Sequence, residues 1–387
     1  MDFELTDEQR DFRAVLRAFV DKQIMPVATE WEHEGRYPTE IVDTMKQLGL
    51  FGLTVPEHYG GLDVDKVSFA LVFEEISRGW MAIAGIIGSH SLSCWMIAKH
   101  GTEEQKNRYL PELATGARRT GIALTEPDAG SDLQGIGTRA RRDGDHYVVR
   151  GAKTWITNAR HANPLPILVK TSITEPAHKG MSILLVDTTT PGFTISRDLP
   201  KLGYRGTESC ELVLDDVRVP ADALLGGVAG RGMQQALSGL EIGRINIAAR
   251  AVGVAQAAYD GALEYARQRK AFGKPIADFQ AIQLKLADMA TEIQAARLLT
   301  YWAAARADSG HRVDMDAGMA KYFASETAIR ASLEAMRIHG GHGYSREFVV
   351  ERLYRDAPLM AIGEGTNEIQ RMIIAKALLS GERKVGW

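Results

Sequence analysis

The sequence predicts a multidomain α and β protein with an all-helical N-terminal domain, a middle antiparallel β-barrel or sandwich, and a C-terminal four-helix bundle. Three observations predict it. Apolar residues keep helical spacing from Thr6 to about Ala117, switch to alternation between about Arg118 and Gly227, and return to helical spacing from about Gly230. At 387 residues the chain exceeds one ordinary core. The expected domains are 1–117, 118–228 and 229–387.

The first helix opens with Thr6 and Gln9 at capping-box spacing, ahead of Phe12, Val15, Leu16 and Phe19. Gly49, Gly52, Gly60 and Gly61 punctuate the next stretch, and then FALVFEEISRGW, IAGIIGSHSLSCWMIAKHG and GTEEQKNRYLPEL complete a helical region ending near Gly116. In the middle region HYVVR comes after the turn DGD, and LPILVKT, MSILLVD, FTISRD and CELVLDDVRVP are set apart by turn residues. Strands without intervening helices exclude a βαβ sheet. In the last region Ile282, Leu286, Met289, Ile293, Ala296, Thr300 and Ala303 alternate steps of four and three, the seam of a packed bundle. Four helices are expected there, near 231–268, 279–308, 314–338 and 366–380.

Composition narrows the function classes. With 45% hydrophobic and 25% charged residues and a net charge of -3, the chain advertises no basic face for nucleic acid or an anionic membrane. Cys94 and Cys210 lack CxxC spacing, so a disulfide framework and a structural zinc site are not expected, and a reducing compartment fits. MDFELTDEQRDF lacks the basic and apolar segments of a signal peptide, and no apolar run is expected to span a bilayer. A cytoplasmic location is expected, or the mitochondrial matrix for a mature eukaryotic chain.

Some motifs fail in context. Gly135, Gly137 and Ala140 spell GxGxxA, but TRARRDGDHYVV after them reads as a charged hairpin where a dinucleotide fold needs an apolar helix. Gly273 and Lys274 lead into Pro275, so there is no Walker A loop. His339 and His342 are separated by glycines that break the helix needed to aim both rings at one metal. No metal site is expected, and a helix-terminating turn is the better account; the same glycines would also admit phosphates to bare N–H groups.

Three motifs remain. ALTEPDAGSD (123–132) is a strand running into a turn that offers N–H groups and Ser131 to an anionic or carbonyl-rich ligand. KTWITNA (153–159) sets the Trp155 indole between Thr154 and Thr157, as a wall for a flat conjugated ring or as ordinary core. In GEGTNEIQR (363–371), Thr366 caps a helix carrying Ile369, Met372, Ile373 and Ala377, so Glu364 sits on a bend between two glycines. It reads either as a solvated acid near a helix N-terminus or as a placed carboxylate.

In this order, ALTEPDAGSD, KTWITNA, DVRVP, RQRKAFGKPIADFQ, MRIHGGHGY and GEGTNEIQR resemble the acyl-CoA dehydrogenase family over essentially the whole chain. The resemblance implies that family's fold and an FAD enzyme that removes two hydrogens from the α and β carbons of an acyl-CoA thioester. Glu364 matches the base that takes the α-proton, with its own N–H and a flavin ribityl hydroxyl on the thioester oxygen. Some members carry the base where this chain has Gly243, which cannot act as one; Glu241 is the weaker catalytic candidate. FAD contacts carry over to Ile122, Leu124, Thr125, Gly130, Ser131, Trp155, Ile156 and Thr157, and to Thr366 and Glu368 after the base. Arg269, Phe272, Phe279 and Gln280, with Arg337, Ile338, Gly340 and Gly341, match stretches that reach FAD from the neighbouring subunit. This implies at least a dimer, and commonly a homotetramer. Substrate contacts are expected at Ser131, Glu241, Arg244, Gly363 and Gly365.

Two departures are legible. Arg337 stands where many members have Gln, which suits a charge-assisted contact to phosphate. Gly363 replaces an aromatic residue, which implies room for a branched, cyclic or bulky acyl group. Electrons are expected to pass to an electron-transferring flavoprotein; the alternatives are an oxidase using O₂ and a non-catalytic flavoprotein of this fold.

Overall fold

A computed structural model of the chain describes residues 4–381 and 383–384; the expected outer limits at residues 1 and 387 lie outside the described residues. Five helices come first: α1 (Asp7–Phe19), α2 (Met25–Glu34), α3 (Thr39–Gln47), α4 (Lys66–His100) and α5 (Glu103–Ala114). The Thr6 hydroxyl accepts from the Gln9 N–H at 3.2 Å, and the Gln9 side chain accepts from the Thr6 N–H at 3.2 Å, the capping box that the spacing predicts.

One expectation is corrected at α4. By length and composition this helix could cross a membrane, where the sequence reading expects no such run. The charged Glu74, Glu75 and Arg78 obscure the fact that Trp80 to Ala98 holds no Asp, Glu, Lys or Arg. The helix is instead the core of the protein, with 83% of its most apolar window buried. It bends at Trp80 (φ -159, ψ 109), whose indole is fully buried against Gly206.

The middle region forms β1 (Arg139–Asp143), β2 (His146–Thr157), β3 (Leu165–Lys170), β4 (Met181–Val186), β5 (Phe193–Asp198) and β6 (Ser209–Pro220). They pair in the order β4-β3-β1-β2-β6-β5. The charged hairpin is β1 and β2, closed at Asp143 and His146. Every neighbouring pair is antiparallel except β1 and β3, which meet parallel at Arg139 and Lys170. Alternation in sequence reports which face a strand buries, not the direction of its neighbour, so this pair was not legible.

The last region contains α6 (Gly232–Gln268), the short hairpin β7 (Lys270–Ala271) and β8 (Lys274–Pro275), α7 (Gln280–Asp308), α8 (Asp314–His339), α9 (Val349–Ile362) and α10 (Asn367–Leu379). Leu286, Met289, Ile293, Ala296, Thr300 and Ala303 form the buried seam of α7 as expected. The four expected helices are joined by a fifth. Its signal was present, since Val350, Leu353, Ala357 and Met360 are buried at helical spacing, but Pro358 inside the helix disguised it.

The first and last helical regions share one core, in which Phe69, Phe73 and Ile76 of α4 pack with the alanine-rich faces of α6 and α8. Small residues there let helix backbones approach closely. Buried acids of α4 fasten the neighbours: Glu74 accepts from Arg297 at 2.9 Å and Tyr301 at 2.6 Å, and Glu75 from Arg13 at 2.6 Å. The β region and the C-terminal half of α4 form a second core, through Leu92, Met96, Ile167, Ile183 and Leu212.

Candidate active site

Glu364 lies on the bend between α9 and α10. The strained position is the glutamate itself, with φ 55, succeeded by Gly365 with φ 87, whereas Gly363 has an ordinary φ of -67. A non-glycine residue at positive φ is held there by its surroundings. Thr366 caps α10, its hydroxyl accepting from the Ile369 N–H at 3.3 Å. The Glu364 carbonyl accepts from Gln370 Nε2 at 3.4 Å. The buried Lys321 ammonium, reaching from α8, donates to the carbonyls of Ala361 at 3.2 Å and Gly365 at 2.9 Å and to Asn367 Oδ1 at 2.9 Å. Burial pulls that ammonium down to about 8.

The carboxylate Oε2 is buried without a hydrogen-bond partner among the described residues. A Cβ placed on Gly243 would stand 1.9 Å from that oxygen, so Glu364 occupies the space a side chain at 243 would need. Positions 243 and 364, the two places where the family resemblance allows a base, thus compete for one volume. Burial raises the Glu364 pKa above the ordinary carboxylate range, and Arg250, Lys321 and Arg244 pull it part of the way back. Arg244, 5% exposed, has its Nε buried and unpartnered. Glu241 is also raised, by burial and by Asp314, with Arg244 opposing. It lies one turn before Arg244 on α6, near the site but without Glu364's bend.

ALTEPDAGSD and KTWITNA are brought side by side. The Thr154 N–H donates to the Thr125 carbonyl at 3.0 Å. Lys153 donates to the Leu124 carbonyl at 3.0 Å and to Glu126 at 2.7 Å, while Glu126 accepts from the N–H groups of Gly137 at 2.5 Å and Thr138 at 3.1 Å. A register shift against β6 between Lys153 and Ile156 turns Trp155 (φ 61) outward, leaving it 57% exposed, while Ile156 is buried. A bulge that re-aims a side chain suits a ligand wall better than a core position. Gly130 has open space where a Cβ would be, Ser131 is exposed, and Thr125 and Thr157 are half-buried in the two joined motifs.

Tyr204 links this face to the base. It has φ 57, its N–H donates to Asp356 at 2.6 Å, and its buried phenol interacts with Arg250, Glu364 and Thr157. Neither Tyr204, Arg250 nor Lys321 is singled out by the sequence. Lys321 and Arg250 sit inside helical runs where a charge ordinarily faces solvent, and Tyr204 lies in a loop with no motif.

The other matched stretches lie elsewhere. Arg337 is sixteen residues beyond Lys321 on α8, and Arg269 is just past the end of α6, twenty-six residues beyond Gly243. At about 1.5 Å per residue they stand roughly 24 and 39 Å from the Glu364 end of their helices. Phe272 on the β7–β8 hairpin is 95% exposed and touches Phe279 edge-on at 6.0 Å, near the exposed Arg269 and Gln280. Gly340 (φ 61) and Gly341 have open space about their Cα atoms, Arg337 pairs with Glu334, and Ile338 is buried. His339 and His342 form the helix-terminating turn, His339 stacked on Tyr265 and His342 Nδ1 2.7 Å from the Tyr265 hydroxyl. Glu368 is exposed in the first turn of α10. One chain therefore gathers the Trp155 face with Glu364 and leaves the Phe272 and Gly340 surfaces bare.

The donor set fits a flat, phosphate-bearing cofactor. An outward indole, open glycines and hydroxyls line the Trp155 face, and glycine N–H groups with Arg269 and Arg337 form the distant surfaces.

Three family profiles match the chain: the acyl-CoA dehydrogenase N-terminal domain over residues 6–117, the middle domain over 121–217 and the C-terminal domain over 230–379. A probable acyl-CoA dehydrogenase of Bacillus subtilis, YngJ, is 46% identical over 380 residues, 98% of this chain and 100% of that protein. The caffeyl-CoA reductase–Etf complex subunit CarC of Acetobacterium woodii is 38% identical over 376 residues, 97% of this chain and 99% of that one. The structure of butyryl-CoA dehydrogenase from Megasphaera elsdenii superposes with a TM-score of 0.95 at 40% identity, covering 98% of this chain and 100% of that one. From its first helix to its last, this chain belongs to the acyl-CoA dehydrogenase family, whose members are FAD-binding flavoproteins.

Proposed function

We propose that the chain oxidises a short acyl-CoA thioester to its trans-2-enoyl-CoA, with Glu364 removing the α-proton. The observation that carries this is the buried, unpartnered Oε2 of Glu364 on a strained bend against Gly243. Burial holds this carboxyl's pKa above the usual range, which suits a base that must take a proton from carbon near neutral pH. The Glu364 N–H makes no backbone hydrogen bond among the described residues, so it is available to the thioester oxygen as negative charge develops there. FAD, when bound, supplies the two-electron acceptor for the β-hydrogen. Leu124, Thr125, Gly130, Ser131, Trp155 and Thr157 would hold it from this chain, and Arg269, Phe272, Gln280 and Arg337 to Gly341 from a second copy.

The separation of the distant surfaces from Glu364 supports an assembly of at least two chains, with a homotetramer proposed. The likeness to a subunit of a caffeyl-CoA reductase–Etf complex supports an electron-transferring flavoprotein as partner. At Gly363 a Cβ would meet only the Leu359 carbonyl at 3.4 Å, which supports the proposed room for branching near the thioester.

The test is anaerobic bleaching of the bound flavin by a panel of straight, branched and cyclic acyl-CoAs. Glu364→Gln is expected to keep its FAD and lose bleaching. Turnover in that variant within about tenfold of the parent would show that the base is misassigned.

A further inference from the structure

Beside Glu364, two buried side chains of α6 carry polar atoms that the chemistry of the base does not use. Arg250 is 4% exposed, and its Nε and Nη2 are buried with no hydrogen-bond partner among the described residues. Asn246, one turn earlier, is 1% exposed, and its Oδ1 is in the same state. Glycines of α4 make room for this polar group. A Cβ on Gly88 would lie 2.6 Å from Asn246 Nδ2, and one on Gly85 would lie 1.5 Å from the Tyr204 hydroxyl. The Arg250 guanidinium lies 5.2 Å from the Tyr204 ring centroid. An ordinary hydrocarbon acyl group would gain nothing from such a wall. A guanidinium buried without full pairing is costly.

Position supplies the link to the substrate. Arg250 is seven residues beyond Gly243, on which the Glu364 carboxylate rests, and two helical turns rise about 10 Å. Side chains on a helix lean toward its N-terminus, so the guanidinium leans back toward Glu364. A short acyl chain, its α-carbon at Glu364, spans what remains.

We propose that the acyl group taken here carries a carboxylate at its far end, which Arg250 pairs bidentately while Asn246 and the Tyr204 hydroxyl complete the pocket. The substrate class is a short dicarboxylic acid joined to CoA through one carboxyl. This rests on the acyl-CoA reading of the same cleft. Charge-assisted bidentate pairing is the strongest use of a buried guanidinium, and an uncharged acyl end leaves the Arg250 Nε and Nη2 without acceptors.

The experiment measures kcat/KM of the FAD-loaded enzyme for glutaryl-CoA and 2-methylsuccinyl-CoA against hexanoyl-CoA and 2-methylbutyryl-CoA, in the parent and in Arg250→Gln. The parent is expected to prefer the dicarboxylic thioesters, and the variant to lose that preference by about 10- to 100-fold. Arg250→Lys is expected to restore part of it. A parent that prefers the uncharged thioesters overturns the proposal without touching the dehydrogenase reading, and needs no variant to fold. Equal slowing of all four in Arg250→Gln also overturns it, because Arg250 would then act on Glu364 alone. Failure of every thioester to reduce the flavin would remove the dehydrogenase reading and this proposal together.

Discussion

Gly243→Ala tests the geometry of the base directly. The added Cβ would lie 1.9 Å from Glu364 Oε2, 2.9 Å from its Cδ and 3.1 Å from Leu92 Cδ1. Ordinary contact needs about 3.5 Å, so the carboxylate must retreat by more than about 1 Å. A carboxylate is the far end of a flexible side chain, so the fold absorbs this cheaply, and alanine's better helix propensity returns up to about 1 kcal/mol. Catalysis does not absorb it, since a displacement of about 1 Å at the reacting group costs about 10- to 100-fold in rate. The expected result is a melting temperature within a few degrees of the parent and a flavin reduction rate lowered by that factor. Gly261→Ala is the control on the same helix, because its Cβ meets only Val350 Cγ1, at 3.7 Å. It is expected to keep full activity and gain about 0.5–1 kcal/mol of stability. Parental kcat in Gly243→Ala would refute the placement of Glu364 against α6.

Other consequences are as direct. Burial raises the folded-state pKa of Glu364, so its favourable contribution exists below the ordinary carboxylate pKa and is lost as pH rises through the raised value. Glu364→Gln is therefore expected to melt higher than the parent at pH 7, with the gap closing toward pH 4, about the unfolded value; an equal gap at both pH values would contradict it. In the parent, kcat/KM is expected to fall on the acid side through a pKa above the usual carboxylate range, seen in a pH profile of flavin reduction. Lys321→Met removes the side-chain donor to the Ala361 carbonyl and leaves the Gly365 carbonyl with Gln370 and Asn367 Oδ1 with Ser325 as remaining donors, expected to cost about 2 kcal/mol in denaturant unfolding. As a positioning residue, Lys321 should affect kcat more than KM, and Lys321→Arg should not be neutral in so tight a site. Trp155→Ala is expected to weaken FAD retention about tenfold, measured as flavin released on dilution, if the exposed indole is a ring wall.

The fold was legible where periodicity alone decides it. The capped start of α1, the seam of α7 and the charged hairpin of β1 and β2 come from local pattern, and each forms where the pattern places it. Three features broke that rule for separate physical reasons. A proline inside α9 mimicked a helix end, acidic residues in the first half of α4 masked an uncharged second half, and the parallel contact of β1 with β3 depends on connection rather than alternation. Local pattern carries no information about which distant element a residue meets.

The site divides along the same line. Glu364, Trp155 and the open glycines lie in short motifs whose unusual composition shows in sequence, because a bend or bulge must be built from particular neighbours. Lys321, Arg250 and Asn246 lie mid-helix, where nothing nearby distinguishes a buried polar side chain from a solvated one. Their burial is set by glycines and alanines on other helices: Gly85 and Gly88 of α4 admit Tyr204 and Asn246, just as Gly243 of α6 admits Glu364. A polar residue at an apolar helical position thus becomes informative only when paired with a missing side chain across the interface. Motifs report the chemistry this family has in common; such complementary pairs, far apart in sequence, report the substrate that one member selects.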